Sequence, residues 1–130
     1  MNHKELYEAY EKGTLSLAGE TIHFEDLPWV SHPVFSGVRL KHIVTSKETA
    51  GAFSYHLVVI DPGKRIGLHC HEQQVETHEI IAGSGLCRNK EAEYPYFPGV
   101  VSLFEKATQH EVIAGEDGLF LFAKFFPPLC

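Results

Sequence analysis

The stretch GKRIGLHCHEQQVETHEIIAG, residues 63–83, decides how the rest of the chain is read. It sets His69, His71 and His78 among Glu72, Glu76 and Glu79, then turns apolar and ends on a glycine. Histidine and glutamate at this density fit a solvated loop, an acid–base site or a metal site. Strand periodicity narrows the choice. Side chains two apart share a face of a strand, so His69 and His71 point one way and Cys70 the other. After a turn around Glu72–Gln74 the chain re-enters a strand, where Glu76, His78 and Ile80 share a face. Two imidazoles and a carboxylate converging from adjacent strands form the common facial arrangement for a first-row divalent metal. A fourth ligand has to come from elsewhere. His110 is placed to supply it, because it opens the apolar strand HEVIAG (110–115) after a turn.

Outward from this stretch the pattern is short strands divided by turn residues. TLSLAGETIHFE (14–25) reads as two strands broken at Ala18-Gly19, and DLPWVSHPVFSG (26–37) as a loop able to fold over an edge. VRLKHIVTS (38–46) alternates, with Val38, Leu40, His42 and Val44 on one face and Arg39 and Lys41 on the other. AFSYHLVVI (52–60) ends at Asp61-Pro62-Gly63, a strong turn signal. Further strands are expected at 65–71, 75–82, 85–88, 100–105, 109–113 and 119–126. Only the start reads as helix: Asn2 can cap it, Glu5 completes a capping box, Leu6, Tyr7 and Tyr10 form an apolar stripe, and Gly13 stops it. Many short strands at regular intervals indicate an all-β sandwich or barrel. LFLFAKFF (119–126) is apolar on both faces, so it is either a central strand covered on each side or part of a subunit interface.

The chain has 130 residues, the length of about one domain, and no internal repeat or linker divides it. Its net charge of −6, with no Lys/Arg cluster, argues against nucleic acid or an anionic membrane as partner. The charged N-terminus is unlike a secretory signal, and no apolar run is long enough to span a bilayer. Cys70, Cys87 and Cys130 are too few, and odd in number, for a disulfide framework, so a cytoplasmic protein with reduced thiols is expected.

The stretch quoted above resembles the first motif of the cupin superfamily: Gly63, five residues, His69, one, His71, four, Glu76, six, Gly83. The second motif begins at Gly99 and places its histidine at His110, with fifteen residues between Gly83 and Gly99. It departs from the pattern at Glu105, Ala107 and Ala114, which stand where the family has proline, glycine and asparagine. Ala107 matters most, because glycine normally relieves the turn that presents the histidine. The resemblance covers about residues 53–126, with the N-terminal helix and strands over about 1–52, and implies a single domain over 1–130. It implies a jelly-roll barrel, a double-stranded β-helix, holding one divalent transition metal ion on His69, His71, Glu76 and His110. Iron, manganese, nickel, zinc, copper and cobalt all accept such ligands.

His78 shares the inward face of Glu76. It is expected either as a proton carrier touching metal-bound water or substrate, or as a core histidine satisfied by the backbone. His42 and His56 read as hydrogen-bonded structural histidines, and Tyr94, Tyr96 and Phe97 as packing over an edge. The functional expectation is a metal-dependent enzyme acting on a small oxygenated or carboxylated molecule, of dioxygenase, decarboxylase or isomerase type. The alternatives are a sensor barrel that binds a small ligand without chemistry and a metal-free structural barrel. A homodimer is expected, because LFLFAKFF and the N-terminal segment offer more apolar surface than one small barrel can cover.

Overall fold

Asn2 caps the first helix as its position predicts. Its side chain accepts the Glu5 amide at 2.9 Å, and the helix α1 runs His3–Glu11. The computed structural model describes residues 2–130; Met1, the first residue of the expected domain, lies outside them. Strands β1 (Thr14–Leu17) and β2 (Glu20–His23) pair as a hairpin, and a 3₁₀ turn follows at Phe24–Asp26. Then come β3 (Val30–Ser31), β4 (Val38–Val44), a short helix α2 (Ser46–Thr49), β5 (Ser54–Ile60) and β6 (Arg65–His69). The chain closes with β7 (Val75–Arg88), β8 (Glu93–Tyr96), β9 (Val101–Phe104) and β10 (His110–Phe126). The all-β expectation holds.

Every strand from β3 onward joins one antiparallel sheet in the order β3-β4-β5-β10-β7-β8, with β6 added to β10 and β9 to β7. The last half of β10 pairs β5 and β7, while its first half pairs β6 and the far end of β7. The two long strands therefore bend through both halves of the barrel. Four separate strands were expected where β7 and β10 stand. The glycines there do not end a strand; they let two backbones meet. Gly83 has φ +83°, and a Cβ on it would collide with the Gly118 carbonyl oxygen, at the place where the β7–β10 register shifts between Ala114 and Leu119.

Two apolar layers flank the sheet. Inside the barrel pack Val38, Val58, Ile80, Val112, Leu119, Leu121 and Phe125. Outside, Leu57, Val59, Phe120 and Phe122 are covered by α1 and the hairpin, with Tyr7 on Phe120 at 4.8 Å and Tyr10 on Phe122 at 5.4 Å between ring centroids. LFLFAKFF is thus a central strand covered on both faces within one chain up to Phe125, with Phe126 exposed. The surface on which the dimer expectation rested is not free. The large apolar side chains that remain most exposed on strands are Val101 and Leu103 of the edge strand β9.

Three further departures have physical causes. Thr45-Ser46-Lys47-Glu48 is a capping box that starts α2, with Glu48 Oε1 accepting the Thr45 amide at 2.8 Å, where strand β4 was expected to run on. Pro95 sits in β8, which is tolerated because β8 is an edge strand. Lys41 lies on the face opposite the barrel interior, yet it is buried by the outer layer, donating to the Phe24 carbonyl at 2.6 Å beneath Trp29.

Candidate metal centre

The β6–β10 register sets His69 directly opposite His110, which brings their ring centroids to 4.4 Å. Glu76 faces the same interior from β7, and Phe104 of β9 pairs beside it. The potential ligand atoms of His69, Glu76 and His110 all lie within 4.8 Å of one another. His71, just past the end of β6, stands at the rim of this trio with Nε2 3.7 Å from Glu76 Oε1 and its ring edge-on to Phe125. His110, whose turn lacks the motif glycine, is therefore inside the tight group, and His71 is at its edge. The turn keeps its shape because Ala107 itself adopts the left-handed conformation, φ +63°, and its amide donates to the His71 carbonyl at 2.9 Å.

Hydrogen bonds fix which nitrogen each ring offers. His69 Nδ1 is 2.7 Å from the Gly67 carbonyl, and His110 Nδ1 is 3.0 Å from the Thr108 carbonyl. A carbonyl only accepts, so both Nδ1 atoms carry protons. In the neutral rings each Nε2 then presents a lone pair to the centre, the arrangement a ligating histidine needs.

Glu76 is almost wholly buried, and its two oxygens are used differently. Oε2 accepts from His78 Nε2 at 2.9 Å, while His78 Nδ1 takes the Tyr96 hydroxyl proton at 2.9 Å. Oε1 approaches His110 Nε2 at 2.9 Å, but not at the angle of a hydrogen bond, so both buried atoms lack a partner. Burial alone would push the Glu76 carboxyl up. The His78 imidazole, donating to Oε2, is the largest opposing influence, and the carboxyl is held well below the usual carboxylate range. His69 and His71 are held below the ordinary histidine value, chiefly by burial. A buried carboxylate oxygen and an imidazole lone pair, aimed at one point without hydrogen-bonding each other, are the donor set a divalent cation satisfies. Left bare, each costs about 1–3 kcal/mol.

Several residues beyond those expected from the sequence build this centre. Phe104 stacks flat on His110, 3.9 Å between centroids and 11° from parallel. A signal for it was present, since alternation from the buried Ser102 places Phe104 on the inward face of β9. Tyr96 is fully buried against His78 and does not pack over an edge. His32, from the loop before β4, accepts the Val34 and Phe35 amides at Nδ1, leaving its Nε2–H as donor on the cavity wall.

His69, His71, Glu76, His78 and His32 line part of a cavity of about 250 Å³ whose remaining wall is mostly apolar: Val38, Leu40, Val58, Ile66, Leu121 and Ala123. No Lys or Arg is among the residues lining it. Another concavity of about 290 Å³ lies outside the barrel, between α1 and the turn at Gly118, and its charged groups are exposed or half-exposed. The interior cavity is the chemically equipped one.

No family model matches the chain, and no curated protein matches it in sequence. Solved structures do match in shape. A predicted oxalate decarboxylase from Thermotoga maritima superposes with TM-score 0.71 at 20% identity, over 79% of this chain and 95% of that one. Ectoine synthase from P. lautus gives 0.72 at 20% identity, over 83% and 78%. An RmlC-like cupin from Shewanella frigidimarina gives 0.67 at 13% identity, over 79% and 86%. At such identities the likeness establishes the fold: this chain has the cupin fold.

Proposed function

We propose that this cupin is a metal-dependent enzyme acting on a small oxygenated or carboxylated molecule, with one divalent transition metal ion on His69, His71, Glu76 and His110. The observation that carries the reading is the buried, unpartnered pair of Glu76 Oε1 and His110 Nε2, with Glu76 itself on the wall of a mostly apolar chamber. Bound there, the ion would supply Lewis acidity or a position for oxygen. The chamber is smaller than the roughly 300–1,000 Å³ of ordinary ligand pockets, which favours a small substrate. Because no Lys or Arg lines it, an oxygen or carboxylate group of that substrate would sit at the metal end, and its apolar remainder against Val58 and Leu121.

The chain's own groups orient and protonate. His69 and His110 are held in one tautomer by backbone carbonyls. His78 orients Glu76, and its Nε2 proton, backed by Tyr96, is the proton this reading assigns to transfer. The test is elemental analysis of untagged protein, followed by oxygen-uptake and decarboxylation assays across a panel of small substrates. At least one metal per chain with turnover is expected. Ligand binding without consumption would favour the sensor reading, and no metal would overturn the enzyme reading.

Supporting a homodimer are the exposed Val101 and Leu103 on an edge strand, where unpaired backbone and apolar side chains coincide.

A further inference from the structure

A second histidine cluster borders the same cavity as the metal centre: His42 lines it together with His69, His71 and Glu76, and Phe125 packs against both groups. The rings of His71 and His56 approach that phenylalanine at 4.9 Å and 5.6 Å. His42 of β4 and His56 of β5 are direct cross-strand partners, and their Nδ1 atoms are 2.7 Å apart with the rings near perpendicular, 88°. Two imidazole nitrogens this close share a single proton or a cation.

The C-terminal segment brings a thiol to the same place. Three successive residues of it are pinned: the Pro128 carbonyl accepts from Gln74 Nε2 at 2.9 Å, the Leu129 amide donates to Ser54 Oγ at 2.8 Å, and the Cys130 carbonyl accepts the Ser46 amide at 2.8 Å. Cys130 Sγ and the ligand atoms of both histidines then fall within 4.8 Å of one another. Ser54 Oγ also lies 2.7 Å from His56 Nε2. That hydroxyl can accept from the Leu129 amide and from His56 Nε2–H together, which would leave Nδ1 as the lone-pair nitrogen. A ring nitrogen tied in this way is the outer support a metal-ligating histidine ordinarily has.

We propose that His42 Nδ1, His56 Nδ1 and Cys130 Sγ form a second metal site, selective for a thiophilic cation, zinc(II) or copper(I). The donor set decides the selectivity: one soft sulfur and two imidazoles, with no carboxylate, suit zinc and copper and not magnesium, calcium or manganese. Burial keeps both imidazoles neutral, His56 most strongly, at about 4. Burial and the Glu48 carboxylate hold the Cys130 thiol up, so its proton must leave as the cation arrives, and a bound metal deprotonates a thiol outright. The site shares no ligand with the Glu76 centre, which contains no sulfur.

Cobalt(II), a coloured surrogate for zinc, separates the two sites, because only this one gives a thiolate-to-metal charge-transfer band. The reduced, metal-free full chain is titrated with cobalt(II) under anaerobic conditions. The expected result is a band that is lost in Cys130→Ser and lost or strongly weakened in His42→Ala, and that persists in Glu76→Gln. Copper(I) is then competed against a coloured chelator, and Cys130→Ser should bind it at least tenfold more weakly than wild type. Cys130 is exposed, so its serine variant leaves the fold intact even if His42→Ala does not. No band in the wild type, or a band and a copper(I) affinity unchanged in Cys130→Ser, would overturn the proposal and leave His42 and His56 as a hydrogen-bonded pair.

Discussion

The ring of Phe104 lies flat on that of His110, 3.9 Å away, and fixes the plane in which His110 meets Glu76. Phe104→Leu should keep a cooperative fold at a cost of about 1 kcal/mol, within the usual range for apolar swaps. It should weaken metal binding several-fold, because a branched chain cannot hold the imidazole plane. Isothermal titration with manganese(II), which the Cys130 site does not suit, beside a urea melt, reads both effects. Unchanged affinity would show that Phe104 is only core.

Removing the histidines one at a time ranks them. His110→Ala deletes a buried donor and should strip most of the metal. His71→Ala, at the rim, should weaken it less. His78→Ala should keep the metal at reduced affinity, about 10–100-fold weaker as for other outer supports, while losing most turnover. Elemental analysis of the three variants checks the order. Loss of metal from His78→Ala with retention in His110→Ala would exchange their assigned roles.

Acid should release the metal. His69 and His71 are held below their ordinary 6.5, so neutral, ligating rings are favoured in the folded site and protons compete only on its acid side. Occupancy should be full at neutral pH, fall below about pH 6 and be lost by about pH 4.5. The metal-free fold should weaken in the same direction. His56 has a folded value of about 4 against 6.5 unfolded, so the unfolded chain binds more protons between those values. Its stabilising effect is complete above 6.5 and is lost as pH falls toward 4. Urea midpoints at neutral pH and near pH 5 should therefore differ, the lower pH giving the lower midpoint.

Ala107 holds a left-handed conformation that glycine adopts freely. Ala107→Gly should raise stability by about 0.5–1 kcal/mol, since relief of strain exceeds the added freedom of the unfolded chain. A thermal melt decides it. A lower midpoint would mean that the alanine methyl makes a compensating contact.

If two copies pair through β9, light scattering at micromolar concentration should give twice the chain mass. Replacing Val101 and Leu103 together by lysine should then give monomer. A wild-type monomer removes the dimer.

The barrel and three members of the centre were readable because strand alternation and ligand spacing are local. His69, Glu76 and His78 point inward as period two requires. What joins them is not local. Phe104 stacks on His110 through the β9–β7 pairing, and Tyr96 reaches His78 across eighteen positions of sequence. His42 and His56 were each legible as hydrogen-bonded, but not as partners of one another, because cross-strand register is invisible to a pattern of apolar and polar residues. The long strands were misdivided for a related reason. A glycine that admits a neighbouring backbone looks, in sequence alone, like a glycine that ends a strand.

The unbroken course of β7 and β10 through both halves of the barrel also governs how the molecule opens. Neither half can detach while the other stays closed, because each shares its two central strands with the other. Amides of Ile80 and Leu121 in one half and of Cys87 and Val112 in the other belong to one cooperative unit, exposed only by global unfolding. Helix α1 touches the sheet mainly through Tyr7 and Tyr10, so it can lift away by itself and lay bare Phe120 and Phe122 while the metal centre remains shut.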